Sequence, residues 1–168
     1  GVRTGSAFAL FGIASVTLAA LASVTSRWSR RDPDASSLRI QGYVQRLFHA
    51  FVSYMKAVGI LSVDIRQPEL LQNTAGRIVV ANHPTLLDVV LLVAHLPQAD
   101  CVVKREAWSN LYLRGPVQAA GYIPNDEGRE LVDACVRRLA QGRCILLFPE
   151  GTRSPRGGLG RLRRGAAH

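Results

Sequence analysis

Apolar residues recur at helical spacing between Ile40 and Val58. Ile40, Tyr43, Val44, Leu47, Phe48, Phe51, Met55 and Val58 share one side, and Arg46, His49, Ser53 and Lys56 lie opposite. The pattern predicts an amphipathic helix, either packed on a domain core or lying in a membrane interface. The Pro/Asp/Ser-rich "RRDPDASS" just before it reads as a break. Further upstream, Ala7 to Val24 runs without a charged residue. That length is about the lower limit for a helix that crosses a bilayer with its backbone bonds satisfied internally. Arg27, Arg30 and Arg31 follow it and only Arg3 precedes it, which places the rest of the chain on the cytoplasmic side. Ala20-Leu21-Ala22 resembles a signal-peptide cleavage site, so a cleaved leader is the rival to a retained anchor. The anchor is the expectation.

From Ile60 the period changes. "ILSVDIR" (60–66), "RIVVAN" (77–82), "ADCVVK" (99–104), "AAGYI" (119–123) and "RCILLF" (143–148) read as strands. "TLLDVVLLVAHL" (85–96) and "GRELVDACVRRLAQG" (128–142) read as helices, the second stopped by Gly142. Near-continuously apolar strands alternating with helices predict an α/β fold with a mixed, mostly parallel sheet covered by helices on both faces.

Charge and cysteines narrow the picture. A chain of 168 residues can bury one core, and its net charge of +9 is not spread evenly. Residues 1–60 carry seven Arg or Lys against two Asp, residues 61–149 nine against nine, and residues 150–168 five Arg against Glu150. A neutral body with basic ends suits an anionic partner met at particular places, such as a membrane face or a phosphate. Aromatics are too sparse, and the body too neutral, for a nucleic-acid reader. Cys101, Cys135 and Cys144 form no C-x-x-C pattern and read as free thiols in a reducing compartment, and no His/Cys spacing suggests a metal.

The chemistry gathers where apolar runs end. In "RIVVANHPTLLDVV", Asn82 closes a strand, while Pro84 and Thr85 open a helix with Asp88 in its first turn. His83 thus stands at a strand's carboxyl edge, where open α/β sheets present their ligand sites. Asp88, one turn on, can accept the Nδ1 proton of His83 and leave Nε2 as a base. A capping Asp beside an unrelated His is the plain alternative. "FPEGTRS" (148–154) also leaves an apolar strand, with Gly151 permitting close approach of backbone N–H groups to an anion. Arg153 offers a guanidinium fork for phosphate or carboxylate oxygens, and Glu150 can orient it or accept from a hydroxyl. Between the two, Lys104 ends a strand and Gly121 begins the turn "GYIPND".

In this order and spacing, N-H-x-x-x-x-D (Asn82, His83, Asp88) and F-P-E-G-T-R (Phe148 to Arg153) resemble the glycerolipid acyltransferase family, best known for 1-acylglycerol-3-phosphate acyltransferase. The likeness covers about Arg77 to Ser154. It implies transfer of a fatty acyl chain from acyl-CoA or acyl-carrier protein to a lipid hydroxyl, without a cofactor. His83 would be the base and Asp88 its orienting partner. Glu150, Gly151, Thr152 and Arg153 would contact the acceptor phosphate, joined by Lys104 and, through the middle motif, Gly121. That middle motif usually ends in Arg; here it reads "GYIPNDEG", the nearest arginine being Arg129, which leaves the acceptor's head group open. The family's fourth motif does not appear. Three parts are expected: a membrane anchor helix with its basic flank (1–31), a linker and amphipathic helix (32–60), and a catalytic domain lacking its C-terminal part (61–168). The expected setting is the inner or cytoplasmic membrane, with the catalytic domain on the cytoplasmic side. Hydrolysis by the same pair, as an esterase or thioesterase, is the other enzymatic reading, although no G-x-S-x-G is present.

Overall fold

The computed structural model describes residues 32–85, 87–110, 114–125, 128–155 and 160–162, with Gly5 and Gly158. The apolar stretch Ala7 to Val24, expected as an anchor, lies outside the described residues. None of the described helices is long and apolar enough to cross a membrane.

Helix α1 spans Pro33–Ala57 and so begins inside the segment expected to be a break. Asp32 caps it, its side chain accepting from the Ala35 N–H at 3.0 Å, and Pro33 takes the first turn, where its missing N–H costs nothing. The Asp-Pro pair is therefore a helix start. Ser37, Ile40, Gln41, Val44, Phe51, Val52 and Met55 are buried, whereas Tyr43, expected on the apolar side, is turned outward. The buried stripe is rotated because two polar residues, Ser37 and Gln41, find partners inside. Of the two readings of this helix, packing on the core is what the buried stripe does.

The remaining elements follow in order: α2 (Glu69–Gln72), β1 (Ile78–Val80), α3 (Leu87–His95), β2 (Ala99–Lys104), α4 (Arg105–Ser109), α5 (Arg114–Ala119), β3 (Ile123–Asn125), α6 (Arg129–Ala140) and β4 (Cys144–Leu147). The stretch 60–66 is not a strand. Its burial alternates over 61–65 as a strand's would, and Leu61 and Val63 pack beneath α1, but no described strand pairs with it. The expected strand at 119–123 instead starts at Ile123. Ala119 ends α5, whose last turn closes with Gly121 N–H to Gln118 O at 3.0 Å and Tyr122 N–H to Val117 O at 3.2 Å.

Among the described residues, the four strands run parallel in the order β1-β4-β2-β3. The last strand in sequence thus enters between the first two. Val80 lies beside Leu147, Cys101 beside Leu146, and Lys104 beside Asn125. One face carries the core, where Ile40 and Val44 of α1 and Val93 of α3, with Leu96 just beyond it, meet Ala99, Cys101, Cys144 and Leu146. Phe51, Val52 and Met55 extend it against Val90 and Ala94. Fully burying a side chain such as Leu96 or Leu146 contributes roughly 1.5–3 kcal/mol. Coverage of both faces was expected. Among the described residues, α6 packs along β3 and β4, while Ile78 and Val80 of the edge strand β1 stay exposed.

A polar knot closes the amino ends of the strands. Arg143 grips Asp100 with two bonds, Nε to Oδ2 at 2.7 Å and Nη2 to Oδ1 at 2.6 Å. Gln41 Nε2 donates to Asp100 Oδ1 at 2.6 Å and to Ala120 O at 2.8 Å, while Arg143 Nη1 reaches Ser37 Oγ at 3.3 Å. Two inward-facing polar residues of α1 are in this way tied to the sheet. The three cysteines are free, Cys101 and Cys144 being buried. Burial pushes the Cys101 thiol up to about 12.

Candidate active site

Strand order builds the site. β4 separates β1 from β2, so the chain leaving β4 emerges between the chains leaving its two neighbours, at the carboxyl edge where the strand order reverses. His83 follows β1, the Phe148–Ser154 segment follows β4, and Lys104 ends β2.

His83 and Asp88 are held by the start of α3. Thr85 Oγ1 accepts from the Leu87 N–H at 3.2 Å, and Asp88 Oδ2 accepts from the Thr85 N–H at 2.6 Å, a reciprocal cap. Thr85 Oγ1 also donates to Asp88 Oδ1 at 3.1 Å. The same Oδ2 lies 3.1 Å from His83 Nδ1. An ionised carboxylate only accepts, so this contact assigns the ring proton to Nδ1 and leaves Nε2 a free lone pair. Nε2 makes no hydrogen bond to any described residue. Both side chains are mostly enclosed, at 16 % and 18 % exposure. The His83 ring rests on Phe148, their centroids 4.6 Å apart.

On the facing side the chain turns at Phe148–Gly151, where the Gly151 N–H donates to Phe148 O at 3.0 Å and Gly151 adopts φ +62°. That backbone is strained for any residue with a Cβ. Because its own N–H closes the turn, Gly151 has none to offer an anion. The N–H groups of Thr152 and Arg153 make no bond to a described residue. Lys104 Nζ donates to Thr152 Oγ1 at 3.3 Å, so β2's terminal cation meets this turn. Lys104, Thr152 and Arg153 are exposed.

Glu150 is different. It is 3 % exposed, and both its oxygens are engaged: Oε1 by Ser154 Oγ at 2.5 Å and by the His83 N–H at 3.4 Å, Oε2 by the Gly160 N–H at 2.7 Å. The bond from Ser154, with those from Gly160 and His83, holds its carboxyl below the ordinary range. No ion pair joins it to Arg153, so it does not orient that guanidinium. Gly121 is not brought to this cluster. It precedes β3 and adjoins Ser37 and Arg138 at the opposite end of the sheet. Among the described residues, no group of three or more His, Cys, Asp and Glu could hold a metal ion.

Thr85 is the helix cap its sequence position suggests, and it also donates to Asp88. Phe148 and Ser154 stand in the expected motif, but their contacts with His83 were not legible, because each meets His83 only through the closure of the sheet.

A family model described as Acyltransferase matches residues 62–168, well over half of the chain. The chain belongs to the acyltransferase family. Over 98 residues this acyltransferase-family chain is 32 % identical to the 1-acyl-sn-glycerol-3-phosphate acyltransferase of Helicobacter pylori, a match covering 51 % of this chain and 38 % of that protein. An alignment over 170 residues with the human 1-acyl-sn-glycerol-3-phosphate acyltransferase beta is 26 % identical and covers 94 % of this chain and 57 % of that one. Among solved structures, the 1-acyl-sn-glycerophosphate (LPA) acyltransferase PlsC from Thermotoga maritima shares the fold, with a TM-score of 0.67 at 21 % identity, over 91 % of this chain and 62 % of that one. The acyltransferase-family chain therefore spans less than two thirds of the length of each of these relatives.

Proposed function

We propose that the protein is a membrane-associated O-acyltransferase that moves a fatty acyl chain from acyl-CoA or acyl-carrier protein to the hydroxyl of a lysophospholipid such as 1-acylglycerol-3-phosphate. The observation that carries this reading is the His83–Asp88 contact of 3.1 Å, set beside the turn of Thr152 and Arg153 that Lys104 of β2 meets. His83 Nε2 takes the proton of the acceptor hydroxyl while the oxygen attacks the thioester carbonyl. Asp88 stabilises the imidazolium that forms. As the tetrahedral intermediate collapses, an ester C–O bond replaces the C–S bond, and the proton passes from Nε2 to the departing sulfur. Lys104 and Arg153 supply the cationic groups for the acceptor's phosphate.

A positioned base contributes roughly 10²–10⁴-fold and co-location of the two substrates more. The acceptor is itself a membrane lipid, and the uncharged stretch Ala7 to Val24 would hold the site at the bilayer on the cytoplasmic side. The test is to express the full-length protein in membranes with a labelled acyl donor and identify the labelled product by mass. A labelled phospholipid that disappears with His83→Ala supports the proposal. Labelled free fatty acid as the sole product would replace it with a hydrolase.

A further inference from the structure

We infer that Ser154 and Glu150 form a positioning pair that fixes the backbone of His83, and that neither contacts the acceptor. This rests on His83 as the base. The peptide of His83 is gripped on both sides: its carbonyl accepts from the Ser154 N–H at 2.8 Å, and its N–H donates to Ser154 Oγ at 3.2 Å. The hydroxyl that accepts from His83 donates in turn to Glu150 Oε1. Glu150 is then anchored from behind, its Oε2 taking the Gly160 N–H. That approach is so close that a Cβ on Gly160 would push the same oxygen aside.

Glu150 is set apart from the acceptor in two ways. Its oxygens are already engaged and the residue is closed off from solvent. It is also held in its ionised form, and a carboxylate facing a phosphate repels it. The imidazole is thereby fixed from three directions: the main chain by Ser154, Nδ1 by Asp88, and one ring face by Phe148. Nε2 is the atom left free to meet a substrate. Displacing a catalytic group by about 1 Å can cost on the order of 10²-fold in rate.

The experiment compares Ser154→Ala, Ser154→Thr and Glu150→Gln with wild type in the full-length protein. Acyl transfer is assayed over a range of acceptor concentration, and amide exchange at His83 is followed separately. Ser154→Ala keeps the backbone bond to His83 O and loses only the hydroxyl. The expected result is kcat lower by about 10- to 100-fold with acceptor KM within about twofold, faster exchange of the His83 amide, and recovery of most activity in Ser154→Thr. Glu150→Gln should also lower kcat, since an amide nitrogen cannot accept. Unchanged amide exchange, or a raised acceptor KM at unchanged kcat, would overturn the inference. If wild type transfers no acyl group, the proposed function fails, and the exchange measurement alone still decides the clamp.

Discussion

Arg143 and Asp100 meet as a two-pronged pair in the interior, with side chains 6 % and 0 % exposed. Each belongs to the amino end of a central strand, and Gln41 and Ser37 of α1 complete the knot. Removing one partner of such a pair strands a buried charge and costs about 3–5 kcal/mol. Asp100→Ala should accordingly lower the denaturation midpoint sharply. Replacing both residues with apolar ones of similar volume should cost less than that single change, as chemical denaturation of the three proteins would reveal.

For the His83–Asp88 pair the expected losses are catalytic. His83→Ala should cut kcat/KM by roughly 10²–10⁴-fold with little change in melting temperature. Asp88→Asn removes the ionised acceptor for the Nδ1 proton and should fall in the same range. Asp88→Ala should in addition lower stability by about 1 kcal/mol, because it breaks the cap on Thr85. Kinetics and melting measured on the same preparations separate the two effects.

Lys104 and Arg153 should act on the acceptor. Hydrogen bonds to charged groups are worth roughly 1.5–3 kcal/mol, so Lys104→Ala or Arg153→Ala should raise acceptor KM by about tenfold or more. Arg153→Lys should rescue only in part, since a point charge lacks the fork. Raising salt should reproduce part of the effect in wild type and little of it in the double variant. A donor KM that rises instead would place these cations on the other substrate.

Glu150 gives a pH dependence of known sign. Its carboxyl lies below the ordinary value of 4.5 when folded, chiefly because Ser154 donates to it. Such a group stabilises the fold above its unfolded value, and the contribution is lost as pH falls through the folded value. Stability of the wild type should therefore decline more steeply below about pH 4.5 than that of Glu150→Gln, which cannot titrate. Denaturation midpoints between pH 3 and 6 would test this.

What could be read in the sequence was whatever rests on neighbours along the chain. His83 and Asp88 are five positions apart, and their meeting follows from a helix beginning at the end of a strand. The strands β1, β2 and β4 announced themselves by apolar runs. Residues 61–65 have the right alternation yet no partner among the described strands, because pairing depends on which strands lie alongside. Asp32-Pro33 looked like punctuation and is a cap. Ser154 was passed over since its hydroxyl reaches a residue 71 positions away. The inward turn of Gln41 likewise depends on Asp100, 59 positions on. Gly121 was carried over from a motif, and the fold sets it at the other end of the sheet.

The place of β4 has a consequence for synthesis on the ribosome. Among the described residues, β1 has no strand to lie against until Cys144 to Leu147 have emerged, and the gap beside β2 stands open. Nascent polypeptide can form α1 and α3 early, but the histidine and the lysine acquire their common neighbour only once β4 has been made. A ribosome stalled before that point holds a half-sheet with bare edges, the kind of species that chaperones retain.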